Sequence, residues 1–141
     1  MPEPIPRILI TEDEAPIRRF LRIVFEGAGY GVDEAARGRL GVERAATGAP
    51  DAILLDLGLP DIDGKQVIAD VRRWTQTPIV ILSGRNDEAE IIAALDSDAD
   101  DYMTKPLATG EMLARLRALL RRRVPEASEP AILRLGPITL I

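Results

Sequence analysis

The sequence predicts an α/β fold: a doubly wound, open parallel sheet of five strands with five helices covering both faces. Three observations carry this prediction. Short β-branched and aliphatic runs recur along the chain, longer segments of helical period separate them, and two of the runs are apolar at successive positions. Alternation of this kind builds a layered sheet, and continuous apolar runs belong to parallel strands covered on both sides.

The first run is RILIT at 7–11. In the helix that follows, Ile17, Phe20, Leu21, Val24 and Phe25 keep the i, i+3, i+4, i+7, i+8 spacing of one buried face, and Pro16 stands in the first turn, where a missing N–H costs little. YGVDEA at 30–35 is the second run, AILLD at 52–56 the third, PIVILS at 78–83 the fourth and DDYMT at 100–104 the fifth. Residues 52–55 and 79–82 are the continuously apolar ones. Met112, Leu113, Leu116, Leu119 and Leu120 repeat the helical pattern in the last helix. In such a fold, ligands sit beyond the carboxyl ends of the strands.

One domain is expected over 1–123. VPEASEP at 124–130 reads as a linker from its Pro, Ser and Glu content, and AILRLGPITLI at 131–141 alternates like a new strand without partners. The chain is therefore expected to be part of a longer protein whose next domain is truncated here.

Composition narrows the chemistry. The 141 residues are 46% hydrophobic and 29% charged, as in a soluble globular protein, and no apolar run approaches the roughly 20 residues that span a bilayer. No membrane association is expected. MPEPIPR lacks the basic start and apolar stretch of a secretory signal, and with no cysteine for disulfides or thiolate ligands a cytoplasmic location is expected. The absence of histidine excludes Ser-His and Cys-His nucleophilic systems and His-ligated transition metals. What remains is chemistry on carboxylates, hydroxyls and amines.

A net charge of −5 argues against nucleic-acid binding by the body of this chain. Arg115, Arg117, Arg121, Arg122 and Arg123 are a local exception, but they lie at a helix C-terminus, where cations are favoured. DSDADD at 96–101 spaces acids like the start of a Ca²⁺ loop, yet its sixth position is Asp101 and its twelfth Leu107, so that site is rejected.

The candidate site lies at the predicted strand ends. In ILLDLGLPDIDG the apolar third strand stops at Asp56, and Gly58, Pro60 and Gly64 turn the chain away without blocking access. Glu12 and Asp13 follow the first strand, Ser83 ends the fourth and Lys105 follows the fifth, so all five should converge on one rim. Carboxylates so close repel one another, and a hard divalent cation with oxygen ligands relieves the repulsion; Mg²⁺ suits a few carboxylates and retained waters. With a cation neutralising an incoming phosphoryl group, one oxygen of Asp56 could attack phosphorus. Lys105 would offer a point charge to a phosphoryl oxygen, and Ser83 a hydrogen bond. Arginine outnumbers lysine 16 to 2, which suggests that a compact ammonium is wanted at 105. Pro106 restricts the backbone of Lys105 and so its direction.

TEDE, LLDLGLPDIDG, ILSGR and DDYMTKP, in this order and spacing, resemble the receiver domain of two-component response regulators across residues 7–123. The resemblance implies the flavodoxin-like strand order 2-1-3-4-5, Asp56 as phosphoacceptor, and Mg²⁺ held by Glu12, Asp13, Asp56 and the carbonyl of Gly58. It further implies Ser83 and Tyr102 as switch residues and Lys105 as the phosphate-binding lysine. A sensor histidine kinase is the implied phosphodonor. The implied output is homodimerisation through the fourth helix, fifth strand and fifth helix, with DNA bound by a C-terminal domain outside this chain.

RRFLR, LPDIDG, IIAALDSDADDY and ILRLGPITL are similar to the winged-helix transcription-factor subfamily, and most to its potassium-uptake regulators. Three positions depart from the pattern. Asp98 stands where the family usually has glycine, Leu107 replaces the usual phenylalanine, and Ile91 replaces a lysine that often pairs across the dimer with the acid matching Glu111. The loop at Asp98 is expected to be strained or reshaped, and the usual dimer pair is altered. A stand-alone phosphorelay receiver and a Mg²⁺-dependent phosphohydrolase with an aspartyl nucleophile are the alternatives, although the chain shows no insertion to build a cap. A nucleotide binder is disfavoured, because ITEDEAP lacks phosphate-cradling glycines.

Overall fold

Successive apolar residues in a strand point to opposite faces, so a run such as AILLD must be covered twice. The structure, a computed structural model describing residues 5–84, 88–105 and 108–122, meets this requirement with β1 (Arg7–Thr11), α1 (Ala15–Gly27), β2 (Gly31–Ala35), α2 (Gly38–Gly48), β3 (Ala52–Asp56), α3 (Gly64–Arg72), β4 (Ile79–Ser83), α4 (Glu88–Asp96), β5 (Asp101–Thr104) and α5 (Thr109–Arg122). The linker expected at 124–130 and the strand at 131–141 lie outside the described residues, as do Pro106, Leu107 and Arg123.

All five strands are parallel, in the order β2-β1-β3-β4-β5. Every residue of β3 and β4 is buried. Their side chains divide strictly by parity. Leu54, Val80 and Leu82 join Leu21, Phe25, Met112, Leu116 and Leu119 in the layer beneath α1 and α5. Ile53, Leu55, Ile79 and Ile81 join Ala45, Val67, Ile68, Val71 and Ala94 beneath α2, α3 and α4. The sheet is thus doubly wound, and its carboxyl edge lies open between the layers.

Two expectations of detail are corrected. Phe20 is 42% exposed rather than part of the buried stripe, because it lies about 100° round the helix from Leu21 and only Leu21 and Phe25 point squarely at the sheet. β2, β4 and β5 each begin one residue later than expected, at Gly31, Ile79 and Asp101. Tyr30 belongs to the helix stop: its N–H donates to the Phe25 carbonyl at 3.0 Å, and the two rings meet edge to face at 6.3 Å.

Candidate functional site

Parallel register brings the strand ends to one edge. Thr11 lies beside Leu55, Asp56 beside Leu82 and Ser83 beside Thr104. Glu12 and Asp13 leave β1 there, and Lys105 leaves β5 there, its N–H donating to the Ser83 carbonyl at 2.7 Å.

Asp56 is 6% exposed at the floor of this edge, and the Gly58 N–H donates to its Oδ1 at 3.2 Å. Oxygens of Glu12, Asp13 and Asp56 all lie within 4.8 Å of one another. Lys105 Nζ stands 3.1 Å from Glu12 Oε1 and 3.6 Å from Asp56 Oδ1. The structure therefore gathers Glu12, Asp13, Asp56, Gly58 and Lys105, with the buried Ser83 one strand away.

Tyr102 is not gathered with them. It is 40% exposed on the α4 side of β5 and, with Glu88, Ile91, Ile92, Leu95 and Thr104, lines a shallow cavity of about 540 Å³.

Glu12 is completely buried. Burial pushes its carboxyl up to about 7; the Glu14 N–H opposes this, the Asp56 charge adds to it and the Lys105 ammonium opposes it. Burial draws the Lys105 ammonium down, but its contact with Glu12 and the charges of Asp56, Glu12 and Glu14 more than offset this, and the net shift is upward. Glu12 Oε2 accepts from the Glu14 N–H at 3.1 Å, and the buried Oε1 pairs with the Lys105 ammonium. A buried carboxylate beside two further carboxylates is an all-oxygen donor set, which fits a hard divalent cation such as Mg²⁺.

Two supporting groups carry no mark in the sequence. Arg18 Nη1 donates to the Glu12 carbonyl at 2.8 Å, and Asp61, from the loop after β3, accepts from the N–H groups of Gly38 and Arg39 at 2.8 and 2.9 Å. The latter contact ties the loop containing Gly58 to the start of α2. Neither could be read from spacing, since both depend on side chains reaching between elements distant in sequence.

A doubly wound sheet of order 2-1-3-4-5 whose carboxyl edge holds three acids and a lysine defines a class. Residues 8–117 match the response regulator receiver domain, and the chain belongs to that family. Within it, the chain is 47% identical over 133 residues to the KDP operon transcriptional regulatory protein KdpE of Escherichia coli, an alignment covering 94% of this chain and 59% of that protein. It is 44% identical over 143 residues to the DNA-binding dual master transcriptional regulator RpaA of Synechocystis, covering 97% and 59%. The chain thus spans less than two thirds of the curated relatives it matches. Among solved structures it is similar to the BeF3-activated N-terminal receiver domain of Klebsiella pneumoniae RstA, with TM-score 0.78 and 32% identity over 82% of this chain and 98% of that one. A putative response regulator from Chloroflexus aurantiacus gives TM-score 0.81 and 32% identity over 84% and 100%. Receiver domains generally use Mg²⁺ at an acidic pocket, and Glu12, Asp13 and Asp56 form one here.

Proposed function

We propose that this chain is the phosphorylation-controlled switch of a transcriptional regulator, with Asp56 accepting a phosphoryl group from the phosphohistidine of a sensor kinase. The observation that supports this most is the Asp56 carboxylate, held rigidly at the end of β3 with the Lys105 ammonium 3.6 Å away. One Asp56 oxygen bonds to phosphorus as the bond from phosphorus to the donor imidazole breaks, and the imidazole keeps the electron pair. Glu12, Asp13, Asp56 and the Gly58 carbonyl would hold Mg²⁺, which when bound would supply charge neutralisation to the transferring group. Lys105 meets a phosphoryl oxygen. The product stays on the protein, so the chain acts as a signalling module rather than a turnover enzyme.

The new oxygens on Asp56 attract the Ser83 hydroxyl inward, and Tyr102 turns into the space behind it. That reshapes the face made by α4, β5 and α5. Ile92 and Tyr102 are exposed on this face, 51% and 40% respectively, which supports its use by a second copy of the chain. The lysine of the family pattern is replaced here by Ile91, which is buried at 8% exposed, so the lysine–acid pair is absent from this dimer. Dimerisation then pairs DNA-binding domains joined through 124–130, and the likeness to KdpE supports genes of potassium uptake as the target.

Beryllofluoride with Mg²⁺ mimics the phosphoryl group, and analytical ultracentrifugation reads its effect on association. The expected result is a dimer for wild type and a monomer for Ser83→Ala. An equal dimer fraction in both proteins would remove the hydroxyl from the trigger.

A further inference from the structure

Arg18 turns back from the first turn of α1 toward the strand end that carries the acidic pair. Its Nη1 donates to the Glu12 carbonyl at 2.8 Å, and its Nε donates to Glu34 Oε1, on β2, at 3.1 Å. Glu34 is held in turn by Arg22 Nη1 on its other oxygen. Burial pushes the Glu34 carboxyl up, but the two guanidinium groups more than offset this and hold it below the ordinary range. The Arg18 side chain, 20% exposed, is therefore fixed at two points rather than free in solvent.

The target of that grip matters more than the ion pair. The Glu12 N–H is fixed on β2 by the Ala35 carbonyl at 3.0 Å, and the Glu12 carbonyl by Arg18. That carbonyl belongs to the peptide leading to Asp13. Because a peptide is planar, the direction of its C=O sets the direction in which the Asp13 Cα departs.

We infer that Arg18 is a positioning residue: by holding the Glu12–Asp13 peptide plane it sets the spacing of the two carboxylates and hence the affinity of the acidic pocket for a divalent cation. This rests on the reading of Glu12, Asp13 and Asp56 as a Mg²⁺ site. An ordinary tie between α1 and β2 would need only the pair with Glu34, and Arg22 already supplies one. What Arg18 adds is a hydrogen bond to the main chain of a metal-binding residue, the kind of outer contact whose loss commonly weakens metal affinity.

The test is the Mg²⁺ dissociation constant, measured by titrating amide resonances with MgCl₂ for wild type, Arg18→Met, Glu34→Gln and Arg22→Met, with thermal unfolding alongside. Arg18→Met keeps the aliphatic stem and is expected to weaken Mg²⁺ binding about tenfold. Glu34→Gln loosens the guanidinium and shifts affinity the same way by a smaller factor. Arg22→Met loses thermal stability with its Mg²⁺ affinity unchanged, and Arg18→Lys, which keeps one donor for the carbonyl, recovers part of the loss. Wild-type affinity in Arg18→Met, with only a lower Tm, would overturn the inference. If Arg18→Met does not fold, unchanged affinity in Glu34→Gln does so instead. A wild-type protein that binds no Mg²⁺ would show that the underlying reading of the site has failed, which is a separate result.

Discussion

Burial at Glu12 makes the acidic pocket sensitive to pH. Its carboxyl is raised from 4.5 to about 7, first by burial and further by the Asp56 charge against the opposing Glu14 N–H and Lys105. A carboxyl raised on folding stays protonated in the native state while the unfolded chain has already ionised. Its contribution to stability is therefore greatest at low pH, falls as pH rises from 4.5 to about 7, and is a full penalty above that. A divalent cation removes the penalty by pairing with the ionised form. In Mg²⁺-free buffer, calorimetry should show a Tm that declines through this window and flattens in Glu12→Gln, while Mg²⁺ affinity in the wild type should rise as pH increases through 7. A pH-independent affinity between 5.5 and 8 would contradict the role of Glu12. The carboxylates and Lys105 were legible in the sequence because a strand end fixes where a short side chain begins. The Arg18 grip was not, because a long guanidinium side chain chooses its partner by rotamer and the fold decides what lies within reach.

Helix stops show how elements respond to a single departure. α1 ends with Gly29 at φ +98°, the Tyr30 N–H bonding back to Phe25 and the Gly29 N–H to Glu26. This is the left-handed stop in which two N–H groups reach back over the last turn. α4 ends in the same way: the Ala99 N–H donates to Ala94 at 3.2 Å and the Asp98 N–H to Leu95 at 3.1 Å, but Asp98 holds φ +81°. The expectation at this position resolves as strain rather than reshaping, because the two returning hydrogen bonds impose left-handed backbone on a residue with a Cβ. Asp98→Gly should therefore stabilise the domain by about 1 kcal/mol, the roughly 1–2 kcal/mol cost of left-handed backbone at a residue with a Cβ less the extra entropy that glycine loses on folding, seen as a raised urea midpoint with unchanged m. A lower midpoint would mean that the aspartate stabilises the loop through its side chain. Strand positions were legible to within a residue from apolar runs. Phe20 was not, since periodicity marks a stripe but not its centre.

Across the whole molecule, parity of the strand residues divides the core into two layers and leaves the carboxyl edge of the sheet as the place where distant residues meet. The alternation of runs made the layering legible. The strand order followed from the resemblance, because runs of similar composition do not say which strand lies beside which. Charge pairing between distant elements was also hidden. Arg72 Nη2 bonds Asp100 at 2.8 Å while its Nη1 bonds the Thr77 carbonyl at 2.7 Å, and Arg115 Nη1 meets both Asp101 oxygens at 3.0 Å and its Nη2 meets Glu111 at 2.9 Å. Asp100 and Asp101 thus have arginine partners within the chain. On the proposed reading, the face formed by α4, β5 and α5 signals only if chemistry at the strand ends reaches it, and on that reading the chemistry starts at Asp56. Intact mass after incubation with acetyl phosphate, with and without Mg²⁺, for wild type and Asp56→Asn, tests this most directly. The account predicts a single phosphoryl adduct that requires Mg²⁺ and is lost in the variant; an adduct that survives Asp56→Asn, or none in the wild type with Mg²⁺ present, would contradict it.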